Sequence, residues 1–179
     1  MPAVNLDVMS SPLLINAAEL LRRPGTERRI ELESTVGELG IVDPRFDADA
    51  EVDIRLRLES LADGIVVDGE LSVPWSDSCR RCLARATGDV VCEVHELYQH
   101  VITDPDAFEI VGDQIDLRRM VSENILLEAP IAPLCRPDCA GLCPTCGIDL
   151  NVATCDCVTT EIDPRWQALS QLKANLPEQ

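Results

Sequence analysis

The sequence has few aromatic residues and few positive charges, and it has no long apolar run. Aromatic side chains make up 3% of its 179 residues, which argues against the stacking surfaces of most single-strand nucleic-acid binders. No stretch approaches the roughly 18 apolar residues of a membrane span. Residues 1–7 show neither the basic nor the apolar segment of a signal peptide. These absences predict a cytoplasmic protein without a membrane partner.

Positive charge is scarce. The formal net charge is −17, and of the 15 basic residues only Lys173 is a lysine. Such a surface repels bulk phosphate backbone and attracts a basic partner. Four arginines are placed differently, because they lie in or beside cysteine-rich segments. They can bind phosphate or carboxylate through their planar forks, or they can offset the charge of nearby thiolates. These four are Arg80, Arg81, Arg85 and Arg136.

Eight of the nine cysteines lie in closely spaced groups with metal-ligand spacing. Two intervening residues let two thiolates converge on one ion, and structural zinc sites are four-coordinate and rich in sulfur. Because disulfides are rare in the cytosol, we interpret these cysteines as ligands of two zinc ions. A four-cysteine iron–sulfur cluster stays an alternative. The predicted ligands are Cys79, Cys82, Cys135, Cys139, Cys143, Cys146, Cys155 and Cys157.

The eight predicted ligands can be divided between two sites in two ways. In the first pairing, the two earliest cysteines join Cys135 and Cys139, and the last four form a local site. In the second pairing, the two earliest cysteines join Cys143 and Cys146, which share their two-residue spacing. The first pairing is favoured, because Cys155–Cys157 follows soon after Cys146. It closes a long loop, where a cross-link removes the most chain entropy.

Hydrophobic alternation predicts an α+β fold with an antiparallel sheet of at least four strands, which can curl into a barrel. Predicted strands cover 27–34 and 52–59, and a hairpin turn at 62–64 leads into a third. The first metal knuckle, residues 79–82, follows that third strand directly. Cys92, the ninth cysteine, has the inward phase of the next strand and is predicted to be a small core residue.

Three helices and three regions complete the predicted organisation. Asn16 and Asp116 cap the first two helices, and Asp163 caps the third. The second helix carries an apolar stripe that is expected to cover the sheet: Leu117, Met120, Val121, Ile125 and Leu126. The predicted regions are a sheet and helix domain at 1–131, a C-terminal cysteine-rich zinc module at 132–160, and a C-terminal helix at 161–179.

The cysteine-rich segment resembles the YceD family, which is described as needed for accumulation of large-subunit ribosomal RNA. The resemblance rests on Pro133–Gly147, followed by Asp149-Leu150-Asn151 and Cys155-Asp156-Cys157. Upstream it includes the Cys79-Arg80-Arg81-Cys82 knuckle, the helix that ends at Ala129-Pro130 and the early helix that ends at Arg23-Pro24-Gly25. It therefore extends over nearly the whole chain.

The resemblance implies a factor in biogenesis of the large ribosomal subunit, acting in the bacterial cytosol or an organelle stroma. No enzymatic activity is generally attached to the family. In some members of the family, the only ligands kept are those that match Cys79, Cys82, Cys135 and Cys139, with histidine allowed at the third. This implies the first pairing, and it implies that the second site is an elaboration.

The leading functional hypothesis is therefore a non-catalytic factor that supports accumulation of 23S rRNA. It binds large-subunit rRNA, a pre-ribosomal particle or a basic ribosomal protein through a zinc-organised face, with the four arginines named above as contacts. A zinc-dependent thiol redox switch and a chaperone for a basic ribosomal protein are alternatives. No nucleophile–base pair or glycine-rich phosphate loop stands out in the sequence, so we predict neither an enzyme nor a small-molecule substrate.

Overall fold

The computed structural model describes residues 13–157, which form seven strands and two helices. In chain order these are β1 (Leu14–Asn16), α1 (Ala18–Leu21), β2 (Glu27–Thr35), β3 (Glu51–Ser60), β4 (Ile65–Ser78), β5 (Arg85–Gln99), β6 (Phe108–Val111), β7 (Gln114–Asp116) and α2 (Arg118–Glu128). The third predicted helix, which begins at Asp163, lies outside the described residues.

The seven strands form one curled sheet, a half-barrel, in the order β1-β7-β6-β5-β4-β3-β2. Neighbouring strands are antiparallel except for β5 and β6, which are parallel. The predicted α+β fold with an antiparallel, curled sheet is thus confirmed. The sequence pattern indicates at least four strands, and the three short strands β1, β6 and β7 are the ones that it does not show.

The core lies on one face of the sheet, where the alternating apolar residues of β3, β4 and β5 meet. Val52, Ile54, Leu56 and Leu58 of β3 are all buried. Each such side chain contributes about 1.5–3 kcal/mol when it leaves water. Cys92 is 6% exposed and lies opposite Leu71 in the β4–β5 register. Burial raises the pKa of its thiol, so Cys92 is the core residue that its strand phase predicted.

Helix α2 covers the buried face of the sheet and packs mainly on β5. Four of the five predicted stripe residues are buried: Leu117, Met120, Val121 and Ile125. Leu126 is 40% exposed, so its place in the predicted stripe was wrong. The predicted first helix is a single turn: Asn16 ends β1, and its Oδ1 accepts from the Ala18 N–H at 3.0 Å.

Arg45 attaches the β2–β3 connection to the chain that follows α2. Arg45 lies in the connection between β2 and β3, and its Nη2 is 2.7 Å from Oδ2 of Asp43. Its Nη1 donates to the carbonyl oxygens of Ala129 and Pro130, each at 3.1 Å. The hydrogen bond from Arg45 lowers the pKa of Asp43 to about 2. Sequence patterns gave no sign of this contact, because its partners are 84 and 85 residues apart.

The long β4–β5 hairpin runs from one end of the strands to the other. At one end Ile65 pairs with Tyr98 of β5 and with Ser60 of β3, beside the residues that enter β2. At the other end Ser78 pairs with Arg85, and residues 79–84 form the turn between them. No helix within residues 13–157 is long and apolar enough to cross a membrane.

Candidate metal centres

The first group of sulfur atoms joins two distant parts of the chain. Cys79 and Cys82 lie in the turn of the β4–β5 hairpin, and Cys135 and Cys139 follow α2. The Sγ atoms of Cys79 and Cys139 are 3.8 Å apart, and those of Cys82 and Cys135 are 3.6 Å apart. Cys135 is exposed and the other three cysteines are buried. A small apolar cluster that includes Ala86 surrounds them.

The second group is built from one short segment. Cys143, Cys146, Cys155 and Cys157 bring their Sγ atoms within 4.8 Å of one another. Cys143 is buried, Cys146 is exposed and the other two are half-buried. An isolated antiparallel bridge between Leu142 and Asp149 closes the loop that carries the first two ligands. This group therefore needs no contact with the sheet to bring its four thiols together.

Both groups have the geometry of a site for one ion. Four ligands at a tetrahedral ion with metal–sulfur bonds of about 2.3 Å lie about 3.8 Å from one another. The sulfur–sulfur distances of 3.6 and 3.8 Å in the first group match this value. A cluster with several irons places cysteines on different metal atoms, and hence farther apart. Each group can thus hold one metal ion.

The two groups use the same turn. In each, the residue after the second cysteine donates its N–H to the carbonyl of the first cysteine: Leu83 to Cys79 and Gly147 to Cys143, both at 2.9 Å. The N–H of the first cysteine donates to the carbonyl oxygen of the residue five positions later. These bonds are Cys79 to Ala84 at 2.7 Å and Cys143 to Ile148 at 2.8 Å. Gly147 has a φ of 75°, as expected from its position, and Leu83 has a φ of 63°. The turn therefore requires a left-handed residue in both knuckles.

The thiol pKa values within each group are spread apart. Burial raises the pKa of Cys79, but backbone hydrogen bonds to its sulfur, the largest from Cys135, outweigh burial and lower the pKa to about 6. The Cys82 thiol raises the pKa of Cys135 to about 12. Thus the first thiolate forms readily, and later ones must form beside it. A bound cation removes this opposition, because metal binding releases the remaining protons.

The second group shows the same spread. Backbone N–H groups of Cys146 and Thr145 lower the pKa of Cys143 to about 6. The Cys146 thiol raises the pKa of Cys157 to about 12. In this group too, a full set of four thiolates needs a cation.

Arg81 fixes the first knuckle to the segment that carries Cys139. Its Nη1 donates to the Cys139 carbonyl at 2.8 Å, and its backbone N–H points at the Cys79 sulfur at 3.5 Å. Its own carbonyl accepts from the Leu142 N–H at 2.9 Å. Gly141 lies directly against it: a Cβ at Gly141 would be 3.0 Å from the Arg81 carbonyl oxygen. The segment that leads into the second group therefore rests on the first knuckle.

Asn151 connects the second group's loop to a sulfur of the first group. Its Nδ2 lies 3.5 Å from the Cys139 Sγ and 2.6 Å from Oδ1 of Asp149. Its Oδ1 accepts from the Ala140 N–H at 2.8 Å and from Nη2 of Arg136 at 2.7 Å. Outer groups of this kind orient metal ligands. Asn151 lies in the motif quoted above, but its sequence position alone indicated no such contact.

The four arginines predicted to bind a partner lie near the first group and have different surroundings. Arg81 contacts Cys139, and Arg136 contacts Asn151 and lies 3.3 Å from Oδ1 of Asp138. Arg80 and Arg85 are exposed, and neither forms an ion pair with a carboxylate of residues 13–157. A role in partner binding stays a prediction for all four.

The order of these features, from the β4 strand through both cysteine groups, matches a known protein family. The sequence model for the large ribosomal RNA subunit accumulation protein YceD matches residues 67–173, which include all eight grouped cysteines. The chain belongs to the YceD family. The resemblance stated from the sequence is thereby confirmed.

Relatives of this YceD-family chain occur in bacteria and plants. An uncharacterized protein of Mycobacterium tuberculosis (strain ATCC 25618 / H37Rv) is 36% identical over 174 residues, which cover 92% of this chain and 83% of the relative. An uncharacterized protein of Mycobacterium leprae is 33% identical over 92% of this chain and 79% of the relative. The large ribosomal RNA subunit accumulation protein YCED homolog 1, chloroplastic, of Zea mays is 36% identical over 37% of this chain and 22% of its own length. No solved structure gives a significant match.

The sulfur atoms of this YceD-family protein are grouped as the first pairing arranges them. The second pairing is not formed, since Cys143 and Cys146 lie with Cys155 and Cys157. That the eight cysteines bind metal stays a prediction. Two features escaped the sequence analysis, the contacts of Asn151 and the left-handed Leu83. Aligning the two knuckles would have revealed the second, because Cys82-Leu83 stands where the other knuckle has Cys146-Gly147.

Proposed function

We propose that this protein is a non-catalytic factor that supports accumulation of the large-subunit (23S) ribosomal RNA. In this proposal two zinc ions organise a face that binds large-subunit rRNA or a ribosomal protein in the cytoplasm. One observation carries it: two four-sulfur groups lie together at one end of the sheet, inside the region that matches a family named for rRNA accumulation.

The ligand chemistry supports zinc at both groups. All candidate donors are thiols, four to a group, and structural zinc sites favour four cysteines in closed tetrahedral geometry. Zinc would supply two positive charges to each set of thiolates and no redox chemistry. Residues 132–160 are thereby proposed as a module that depends on metal for its shape. The sheet and helix region 1–131 supplies one knuckle, and residues 161–179 form a further C-terminal region.

The same donor set supports a non-catalytic role. A catalytic zinc site keeps one position open for water or substrate and uses a nearby base. Here four sulfurs surround each candidate ion position, which leaves no ligand position for a substrate. Binding through an organised surface is the activity that such closed sites support.

Sedimentation of tagged protein from gentle lysates in a density gradient tests the proposal. We expect the wild-type protein to migrate with immature large-subunit particles, and we expect a Cys139→Ser variant to lose this migration. Cys92→Ala is the matched control, because it removes a buried thiol outside both groups and should migrate like the wild type. Wild-type protein that stays with free proteins at low salt contradicts the proposal and favours a transient chaperone or a thiol switch.

A further inference from the structure

Leu83 has a backbone conformation that its side chain disfavours. Its φ is 63°, and it is the one non-glycine residue with positive φ among residues 13–157. A left-handed conformation is strained for a residue with a Cβ, and such strain persists where the surrounding structure imposes it, often at functional sites. The other knuckle of the chain avoids this strain with Gly147. Leucine at this position therefore has a cost that the same turn does not require.

Burial of the Leu83 side chain does not offset this strain. The Leu83 side chain is 66% exposed, and it is absent from the apolar cluster around the first sulfur group, which includes Trp75, Leu134 and Leu142. An exposed leucine on a strained turn contributes little to the stability of the free protein. Its exposure leaves the Leu83 side chain accessible to a partner molecule.

The groups around Leu83 indicate what kind of partner makes that contact. Arg80 and Arg85 flank it, and neither forms an ion pair with a carboxylate of the described chain. Arg85 and the half-buried Trp75 line a shallow groove of about 370 Å³ beside the knuckle, together with Arg45, Asp47 and Asp89. Unpaired guanidinium groups match phosphate, and apolar and aromatic side chains contact unstacked bases. A basic protein would meet the like charge of Arg80 and Arg85 on either side of Leu83.

We infer that Arg80, Leu83 and Arg85 form a docking surface for an unpaired segment of large-subunit ribosomal RNA. The two arginines bind phosphates, and Leu83 contacts a base or ribose. This surface, the knuckle tip, rests on the proposed function and names its partner. It also divides the four arginines: Arg80 and Arg85 face the RNA, while Arg81 contacts Cys139 within the first sulfur group and Arg136 contacts Asn151 of the second group's loop.

Two substitutions of Leu83 test the inference without endangering the fold. Leu83→Gly introduces the residue that the second knuckle already has, and Leu83→Asn introduces a polar residue that tolerates positive φ. For both we expect an unchanged zinc content and a melting temperature within about 3 °C of the wild type. Affinity for purified large-subunit rRNA, measured by filter binding, should fall at least about fivefold.

Charge reversal gives a second arm. Arg80→Glu/Arg85→Glu changes the net charge by the same amount as Arg22→Glu/Arg23→Glu, whose arginines precede β2 at the other end of the sheet. The knuckle-tip pair should lower RNA affinity at least about tenfold and reduce its salt dependence, because phosphate contacts release counterions. The control pair should change affinity by less than about threefold.

The outcomes separate this inference from the proposed function. If both Leu83 variants bind the RNA as the wild type does, the inference is wrong, even where the wild-type protein migrates with large-subunit particles. Equal losses for the two arginine pairs would show a general charge effect and would also overturn it. If wild-type protein binds no rRNA but the knuckle-tip variants lose binding to a purified basic ribosomal protein, the RNA assignment is wrong.

Discussion

The two sulfur groups each consist of four cysteines and share the same knuckle turn, yet they connect parts of the chain that are different distances apart in sequence. In the first group, the nearest sulfurs belong to residues 60 and 53 positions apart, and three of the four cysteines are buried. In the second, all four ligands come from residues 143–157, and one is buried. Closing a long loop changes the entropy of the unfolded chain more than closing a short one. A metal ion bound in the first group would therefore stabilise the fold more than one bound in the second, which would shape a local loop.

Removing one ligand from each group should give the largest difference between them. Cys139→Ser should release one zinc ion and lower the free energy of unfolding by more than about 4 kcal/mol, the range expected when a metal is lost from a buried site. Cys155→Ser should also release one zinc ion but lower the free energy by less than about 1 kcal/mol, because its group lies outside the sheet. Native mass spectrometry counts the ions, and urea unfolding of the sheet gives the energies.

Two outcomes would contradict the prediction for these serine variants. Loss of both ions from Cys155→Ser would show that the groups fill together. Equal destabilisation by the two variants would show that loop length does not decide the effect of the metal.

Asn151 should couple the two groups to a smaller extent. Asn151→Ala removes the N–H donor to the Cys139 sulfur while leaving all eight cysteines in place. We expect zinc to bind about 10–100-fold more weakly at the first group, as for other outer contacts to metal ligands. Competition with a chelator measures this affinity.

Val152→Ala is the matched control for Asn151, since the neighbouring side chain is 82% exposed. It should leave both zinc affinities unchanged. If Asn151→Ala weakens zinc binding only at the second group, the Asn151 amide stabilises that group alone and does not couple the two.

Breaking the Arg45 ion pair should give the smallest effect. Asp43→Asn should lower the free energy of unfolding by about 1–2 kcal/mol and loosen the segment before Cys135, which Arg45 holds through Ala129 and Pro130. The folded pKa of Asp43, about 2, lies below its ordinary value of 3.8. Its stabilisation is therefore complete above pH 3.8 and is lost as the pH falls toward 2.

The difference between wild type and Asp43→Asn should accordingly be constant from pH 5.5 to 8, which urea unfolding can measure. Asp49→Asn, in the same connection and exposed, should have no effect. A difference that shrinks within this pH range would mean that another titrating group supplies the stability.

Sequence patterns predicted the long strands, because alternation in 52–59 and in the β4–β5 hairpin reports one buried face. They also placed Cys92 in the core and favoured the grouping of the cysteines that the structure has. Ligand spacing is informative because two closely spaced thiols restrict the positions that an ion can take.

The remaining features depend on contacts between distant residues. Strands β1, β6 and β7 have three or four residues each, too few to show a period. The Arg45 contact and the Asn151 amide join segments through backbone carbonyls or a sulfur, and local patterns carry no sign of such pairs. Leu126 was misplaced because helical spacing alone does not show where the covered face of α2 ends.

The separation of 53 positions between Cys82 and Cys135 also sets an order of events during synthesis. At about 5–20 residues per second, a ribosome takes about 3–10 s to add that stretch. During this interval the first two thiols have left the ribosome ahead of their partners, whereas the last four cysteines emerge almost together. The site that closes the fold is therefore begun first and completed only after α2 has been made. Until then, a newly synthesised chain carries an open pair of thiols to which cellular oxidants and other metals have access.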